Sequence, residues 1–167
     1  MRRIAIISDT HGTFDTALRE FLRDVDEVWH AGDVGGSDTD IADEIARFKP
    51  LRCVYGNVDG WVMRRSFQKY ESFECEGVRV LMTHIGGYPK RYEAEARAKI
   101  ETLRPKLFIA GHSHILKVIY DPKYDLLHIN PGGAGNYGIH KVRTAIRLTI
   151  DGEQIKDLEV GEWCRGQ

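Results

Sequence analysis

Five times along this chain a short apolar run stops at a residue that can offer a lone pair to a metal ion. Ile4-Ala5-Ile6-Ile7-Ser8 leads to Asp9-Thr10-His11, and Glu27-Val28-Trp29-His30-Ala31 leads to Gly32-Asp33. Leu51-Arg52-Cys53-Val54-Tyr55 leads to Gly56-Asn57-Val58-Asp59. Val80-Leu81-Met82-Thr83 leads to His84, and Leu107-Phe108-Ile109-Ala110 leads to Gly111-His112-Ser113-His114. In an extended chain the side chains at i and i+2 share a face, so Asp9 and His11 leave the first strand side by side. A glycine often precedes the donor, where it permits a sharp backbone turn. Donors gathered at the ends of several strands form one site without being close in sequence.

The segments between these runs define the architecture. Thr13 is expected to cap a helix that puts Phe14, Leu18, Phe21 and Leu22 on one face. Ser37 or Asp38 is expected to cap a second, with Ile41, Ile45 and Phe48 at helical spacing and Pro50 past its end. Strand, helix, strand, helix, strand implies a parallel βαβαβ start. The second half reads as a hairpin around Glu76-Gly77, a long helix from Pro89 to Leu103, and then strands. These strands are Ile115–Tyr120, Tyr124–Ile129, Val142–Ile150 and Gln154–Val160, with Asp151-Gly152 as the last turn. Two packed sheets with helices outside would bury what the pattern makes apolar. Gly56–Tyr70 and Asn130–Lys141 read as irregular loops beside the donors.

The 167 residues fit one domain, 1–167, with a sizeable core. A net charge of -1 gives no bulk attraction for a nucleic-acid backbone. Cys53, Cys75 and Cys164 are odd in number and match no zinc spacing, so reduced thiols are expected. The apolar run after Met1-Arg2-Arg3 is too short for an export signal, and no segment approaches membrane-spanning length. A cytoplasmic protein is expected, and its oligomeric state stays open.

Asp9, His11, Asp33, Asn57, His84, His112 and His114 make seven oxygen and nitrogen donors, too many for one tetrahedral zinc. They suit two divalent ions, with one carboxylate shared and positions left for water and substrate. Mixed imidazole and carboxylate donors favour transition metals over calcium: manganese first, with nickel, cobalt, iron or zinc as alternatives. Two such ions outweigh the charge of Asp9 and Asp33, so the site would attract an anion and acidify water. Hydrolysis of a small phosphate ester is the chemistry expected.

The ordered set D-x-H, G-D, G-N-x-D, H, G-H-x-H resembles the calcineurin-like metallophosphoesterase superfamily. The short length, the G-N-x-D variant and Asn130-Pro131-Gly132-Gly133 resemble its compact YfcE-like phosphodiesterase branch, which includes retromer-subunit relatives. The resemblance implies an α/β fold, a four-layer αββα sandwich of two mixed β-sheets flanked by helices. It also implies that Asp9, His11, Asp33 and His114 hold a first metal. Asp33, Asn57, His84 and His112 would hold a second, Asp33 bridging, and a bridging hydroxide would attack phosphorus in line. Many members carry histidine after G-N, oriented by the next aspartate, to assist the leaving group. Here that residue is Val58, which cannot donate a proton, while Asp59 remains in the catalytic set without that partner. The departure favours diesters or activated leaving groups.

Other residues carry plainer expectations. His30 and His128 lie inside strand patterns and are read as structural. His140 lies on an irregular loop, where packing is expected ahead of substrate contact. Trp61, Tyr88 and Tyr137 are expected to pack, stacking on a base being the alternative. Arg64-Arg65 and Lys90-Arg91 are read as solvated pairs, attraction of phosphate being the alternative, and Asn130–Gly133 as a backbone device near the metals. Two rival functions remain, a non-catalytic protein-interaction module on the same fold and a nuclease. An intact donor set argues against the first, and the lack of a long basic stripe against the second.

Overall fold

The computed structural model describes residues 1–166. Its first sheet is built from β1 (Arg2–Ile7), β2 (Glu27–His30), β3 (Leu51–Cys53), β11 (Val142–Asp151) and β12 (Gln154–Cys164). The strand order is β12-β11-β1-β2-β3, with β1, β2 and β3 parallel and β11 antiparallel to both of its neighbours. The expected βαβαβ start is present. The second sheet contains β4 (Tyr70–Cys75), β5 (Val78–Thr83), β8 (Leu107–Ile109), β9 (Leu116–Asp121) and β10 (Leu126–Pro131), in the order β4-β5-β8-β10-β9.

Alternation along each strand sorts residues into layers. Ile4 and Ile6 of β1 meet Trp29, Val80, Met82, Leu107, Ile109 and Ile146 between the sheets. Ala5 and Ile7 point the other way, into a layer with Leu18, Leu22, Val28 and Ile45. Those last residues bring in α1 (Thr16–Leu22) and α2 (Asp40–Phe48). On the far side, Leu81 and Phe108 pack against Ala96 and Ile100 of α4 (Ala94–Leu103). Each fully buried Ile, Leu or Phe contributes roughly 1.5–3 kcal/mol. The three layers of contact make the expected two-sheet sandwich with helices outside.

Four local expectations need correction. The cap of α1 is Asp15, whose Oδ1 accepts the Leu18 N–H at 3.2 Å, and not Thr13. Asp15 is fixed there by the fully buried Arg143, which donates to it through two nitrogens at 2.7 and 2.9 Å and to Ala134 O at 2.8 Å. The cap position of α2 is Thr39, not Ser37 or Asp38; its hydroxyl bonds the Asp43 carboxylate instead of the helix backbone. The helix expected from Pro89 starts only at Ala94, because Gly87 and Lys90 take left-handed backbone and fold residues 87–92 into a small hairpin. This hairpin is β6 (Gly87–Tyr88) and β7 (Arg91–Tyr92). A short helix, α3 (Trp61–Ser66), lies inside the stretch read as irregular; only Met63 of it is buried, so it carries no apolar periodicity. No helix among the described residues is long and apolar enough to cross a membrane, and the three cysteines are free.

Candidate metal centre

The loops after β1, β2, β3, β5 and β8 open at one end of the sandwich, and Asp9 sits at their junction. It is fully buried. Its N–H donates to Gly32 O at 3.0 Å and its carbonyl accepts the Gly135 N–H at 3.1 Å. Its Oδ2 accepts the Ser8 hydroxyl at 2.6 Å and the His112 N–H at 3.0 Å. Four loops are thereby keyed to one residue. Its Oδ1 makes no hydrogen bond and faces three imidazole nitrogens, His114 Nε2 at 3.1 Å, His11 Nε2 at 3.7 Å and His84 Nε2 at 3.8 Å. Burial alone would raise the Asp9 carboxyl; His11, His114, His84 and the Ser8 hydroxyl outweigh it and hold the group far below the usual carboxylate range.

Asp33 completes the pair of carboxylates. Its Oδ1 accepts the Val58 N–H at 2.9 Å, and its Oδ2 lies 3.0 Å from His84 Nε2 and 3.8 Å from His11 Nε2. Burial again pushes upward, but His84 and the Val58 N–H prevail and the carboxyl stays ionised. His84 donates from Nδ1 to Ala31 O at 2.7 Å, which leaves Nε2 to face the carboxylates. Burial opposes charge on this ring, yet Asp33 and Asp9 raise it above its ordinary value. The pocket is built to attract positive charge.

The donors form two clusters, Asp9–His11–His114 and Asp33–His84–His112, each with ligand atoms within 4.8 Å of one another. Asn57 joins the second, its Oδ1 3.1 Å from His112 Nδ1. The seven donors read from the sequence therefore lie together. Backbone geometry sets their aim: Asp9, His11, Asp33, His112 and His114 all have positive φ, between 43° and 72°. A left-handed L-residue costs roughly 1–2 kcal/mol, and the loops are held in it by bonds such as His11 N–H to Asp33 O at 3.1 Å. The turning is done by the donors themselves. The glycine before His112 serves close approach, since a Cβ on Gly111 would lie 2.0 Å from Ser8 Oγ.

Asp59, placed by the sequence in the catalytic set, has its carboxylate engaged by backbone. Its carboxylate accepts the N–H groups of Gly56 at 2.7 Å, Asp33 at 3.0 Å, Gly35 at 3.2 Å and Val34 at 3.4 Å. It lies behind the donors and clamps the β2 and β3 loops together. Arg64, read as solvated, supports that loop from its other side, donating to Asp59 O at 2.9 Å and Asn57 O at 3.1 Å. Val58 is 62% exposed at the rim, beside Trp61 at 67%.

Asn130–Gly133, read as a backbone device, acts here through the Asn130 side chain, whose amide donates to Gly111 O at 2.9 Å and Ser113 Oγ at 3.1 Å. Tyr88 also bonds the Ser113 hydroxyl, so two side chains brace the loop between His112 and His114. His30 is buried and structural; its Nδ1 accepts the Gly32 N–H at 3.1 Å and its Nε2 reaches Thr10 Oγ1 at 2.9 Å. Burial lowers it to about 4. Tyr137 tilts over the His11 ring at 5.1 Å between centroids. His140 was read as a packing residue, but its Nδ1 lies 2.8 Å from His114 Nδ1, a contact between loops that no spacing announces.

A divalent ion fits this donor set. Asp9 Oδ1, His11 Nε2 and His84 Nε2 are buried, convergent and without hydrogen-bond partners. An unsatisfied buried polar group costs about 1–3 kcal/mol, and a cation satisfies all three. The carboxylate, amide and imidazole mixture is one that transition metals accept.

Comparison with known proteins agrees with this chemistry. The chain is 31% identical, over 165 residues, to a protein of Methanothermobacter thermautotrophicus called a probable metallophosphoesterase, covering 94% of this chain and 90% of that one. Vps29 of Chaetomium thermophilum superposes with a TM-score of 0.75 at 14% identity, covering 99% of this chain and 100% of that one. A structure described as a novel archaeal phosphodiesterase gives 0.73 at 22% identity, covering 95% and 99%. Both share the fold. Residues 1–153 match the family described as the calcineurin-like phosphoesterase superfamily domain, and the chain belongs to that superfamily.

Proposed function

We propose that this protein is a dinuclear-metal phosphoesterase for small phosphate esters, acting on diesters in preference to monoesters. The observation that carries the reading is the convergence of His11 Nε2 and His84 Nε2, buried and unbonded, on the ionised carboxylates of Asp9, whose Oδ1 is likewise unbonded, and Asp33. Asp9, His11, Asp33 and His114 would hold one ion; Asp33, Asn57, His84 and His112 would hold the other, with Asp33 shared. Manganese suits the donors best, with nickel, cobalt, iron or zinc as alternatives. When bound, the ions acidify water and offset charge on the phosphoryl oxygens.

The chain supplies the rest. Asp9 and Asp33 remain ionised and draw the cations. The Ala31 carbonyl fixes the His84 ring so that Nε2 faces the pocket. Val58 stands where a proton donor would stand and offers none. The leaving oxygen departs without help from that position, which favours esters whose leaving group is a weak base.

The test is elemental analysis of protein loaded with manganese, followed by chelation and assay on aryl phosphodiesters and monoesters. About two ions per chain, hydrolysis lost on chelation and a diester preference are expected. Full activity with no ion bound would end this reading. Two bound ions without hydrolysis of any ester would favour an interaction module on the same fold, the kind of divergence that the likeness to Vps29 makes worth testing.

A further inference from the structure

His84 has its tautomer set by a backbone carbonyl, whereas among the described residues no carbonyl bonds the ring of His114. Its Nδ1 meets another imidazole instead, His140 Nδ1 at 2.8 Å. His140 Nε2 in turn lies 2.8 Å from Gly135 O. A carbonyl only accepts, so this Nε2 carries a proton. In a neutral His140 the remaining nitrogen, Nδ1, has a lone pair and accepts. His114 Nδ1 must then donate, and its Nε2 presents a lone pair toward Asp9 Oδ1, 3.1 Å away.

The surrounding loop is shaped for this pair of rings. A Cβ on Gly138, whose φ is +129°, would lie 2.3 Å from His114 Nδ1 and 3.0 Å from His140 Nδ1. The loop is held from outside by Arg165, just past β12, which donates to Asn136 O at 2.6 Å, Gly138 O at 2.6 Å and His140 O at 2.8 Å. The rings stand 4.8 Å apart at 61°, which fixes the edge that His140 presents.

We propose that His140 is a positioning residue of the metal centre: it holds His114 in the Nδ1–H tautomer, so that Nε2 serves the ion on the Asp9–His11 side. This rests on the metal reading above and adds to it a residue outside the seven donors. Partners of this kind typically change metal affinity by about 10–100-fold when removed. The effect should fall on one ion, because the rings of the other cluster do not touch His140.

The experiment titrates the full-length chain with manganese chloride by calorimetry, and reads the His114 tautomer from its ring-nitrogen NMR shifts. In the native protein His114 should be protonated at Nδ1. His140→Ala should weaken one binding event about 10–100-fold, leave the other within threefold, and give His114 a mixed tautomer. His140→Asn, which can place an acceptor near His114 and a donor toward Gly135 O, should restore most of the affinity. Undiminished binding of both ions in folded His140→Ala, or a native His114 protonated at Nε2, would overturn the proposal alone. A native protein that takes up neither ion would sink the metal reading and this one with it.

Discussion

The Asp59 carboxylate accepts the backbone N–H of Asp33 at 3.0 Å, so the residue after Val58 holds the loop that carries Asp33. Asp59→Asn removes an acceptor face from a cluster of four N–H groups and should lower stability by about 1–3 kcal/mol. The melting temperature should fall, while the dependence of rate on leaving group keeps its slope. A large drop in kcat/KM at unchanged melting temperature would instead make Asp59 a catalytic group.

Asp33→Asn should be worse than Asn57→Ala. The Asp33 carboxylate lies near a ring of each cluster, His11 and His84, and as a shared ligand it would neutralise charge between two ions, whereas the Asn57 amide sits in one cluster and would neutralise nothing. Loss of both ions and at least about 100-fold in kcat/KM are expected for Asp33→Asn, in keeping with the loss of a major electrostatic contribution. Equal metal content and equal rates in the two variants would remove Asp33 from the bridging position.

With Val58 in that position, hydrolysis by the native protein should depend steeply on leaving-group acidity. General-acid help is typically worth about 10²–10⁴-fold, and its absence weighs most on alkyl esters. Val58→His would lack an orienting carboxylate, because Asp59 is occupied by backbone N–H groups. The gain should therefore be small, about 10-fold or less against that range, and confined to alkyl esters. The check is kcat/KM over a graded series of aryl and alkyl esters in both proteins. A shallow native slope would reveal a proton donor elsewhere.

His128 offers a pH test away from the metals. It is fully buried among Tyr88, Tyr92 and Phe108, and neither ring nitrogen makes a hydrogen bond of good geometry. Burial lowers it from 6.5 to about 4, the Phe108 backbone opposing only in part. The unfolded chain binds the proton first as pH falls, so stability drops between pH 6.5 and 4 and this contribution is flat below. That window is worth about 3 kcal/mol. His128→Phe should match the native stability or exceed it near pH 7 and flatten this decline, as read by denaturant unfolding across the pH range. An unchanged acid limb would mean that His128 titrates normally in the folded state.

Strand ends were legible because a buried strand and its terminal donor are adjacent in sequence. Asp9, His11, Asp33, His84 and His112 announce themselves by following apolar runs, and the parallel βαβαβ start and the pair of packed sheets follow from where those runs lie. Asp59, Arg143, His140 and Arg165 act across 24 to 128 residues on atoms that no local pattern connects to them. Their side chains answer groups brought within reach only once the loops have turned. The helix Trp61–Ser66 escaped notice for another reason: with Met63 alone buried, it has no apolar face to read.

The left-handed backbone of Asp9, His11, Asp33, His112 and His114 places folding and chemistry in opposition at the same positions. A glycine at His11 or His114 would relax roughly 1 kcal/mol of backbone strain while deleting a donor. Random substitution can thus pass through variants that melt higher and bind metal less. A lineage released from selection for hydrolysis would find decay of its site thermodynamically easy, and could keep a sound sandwich free for other uses.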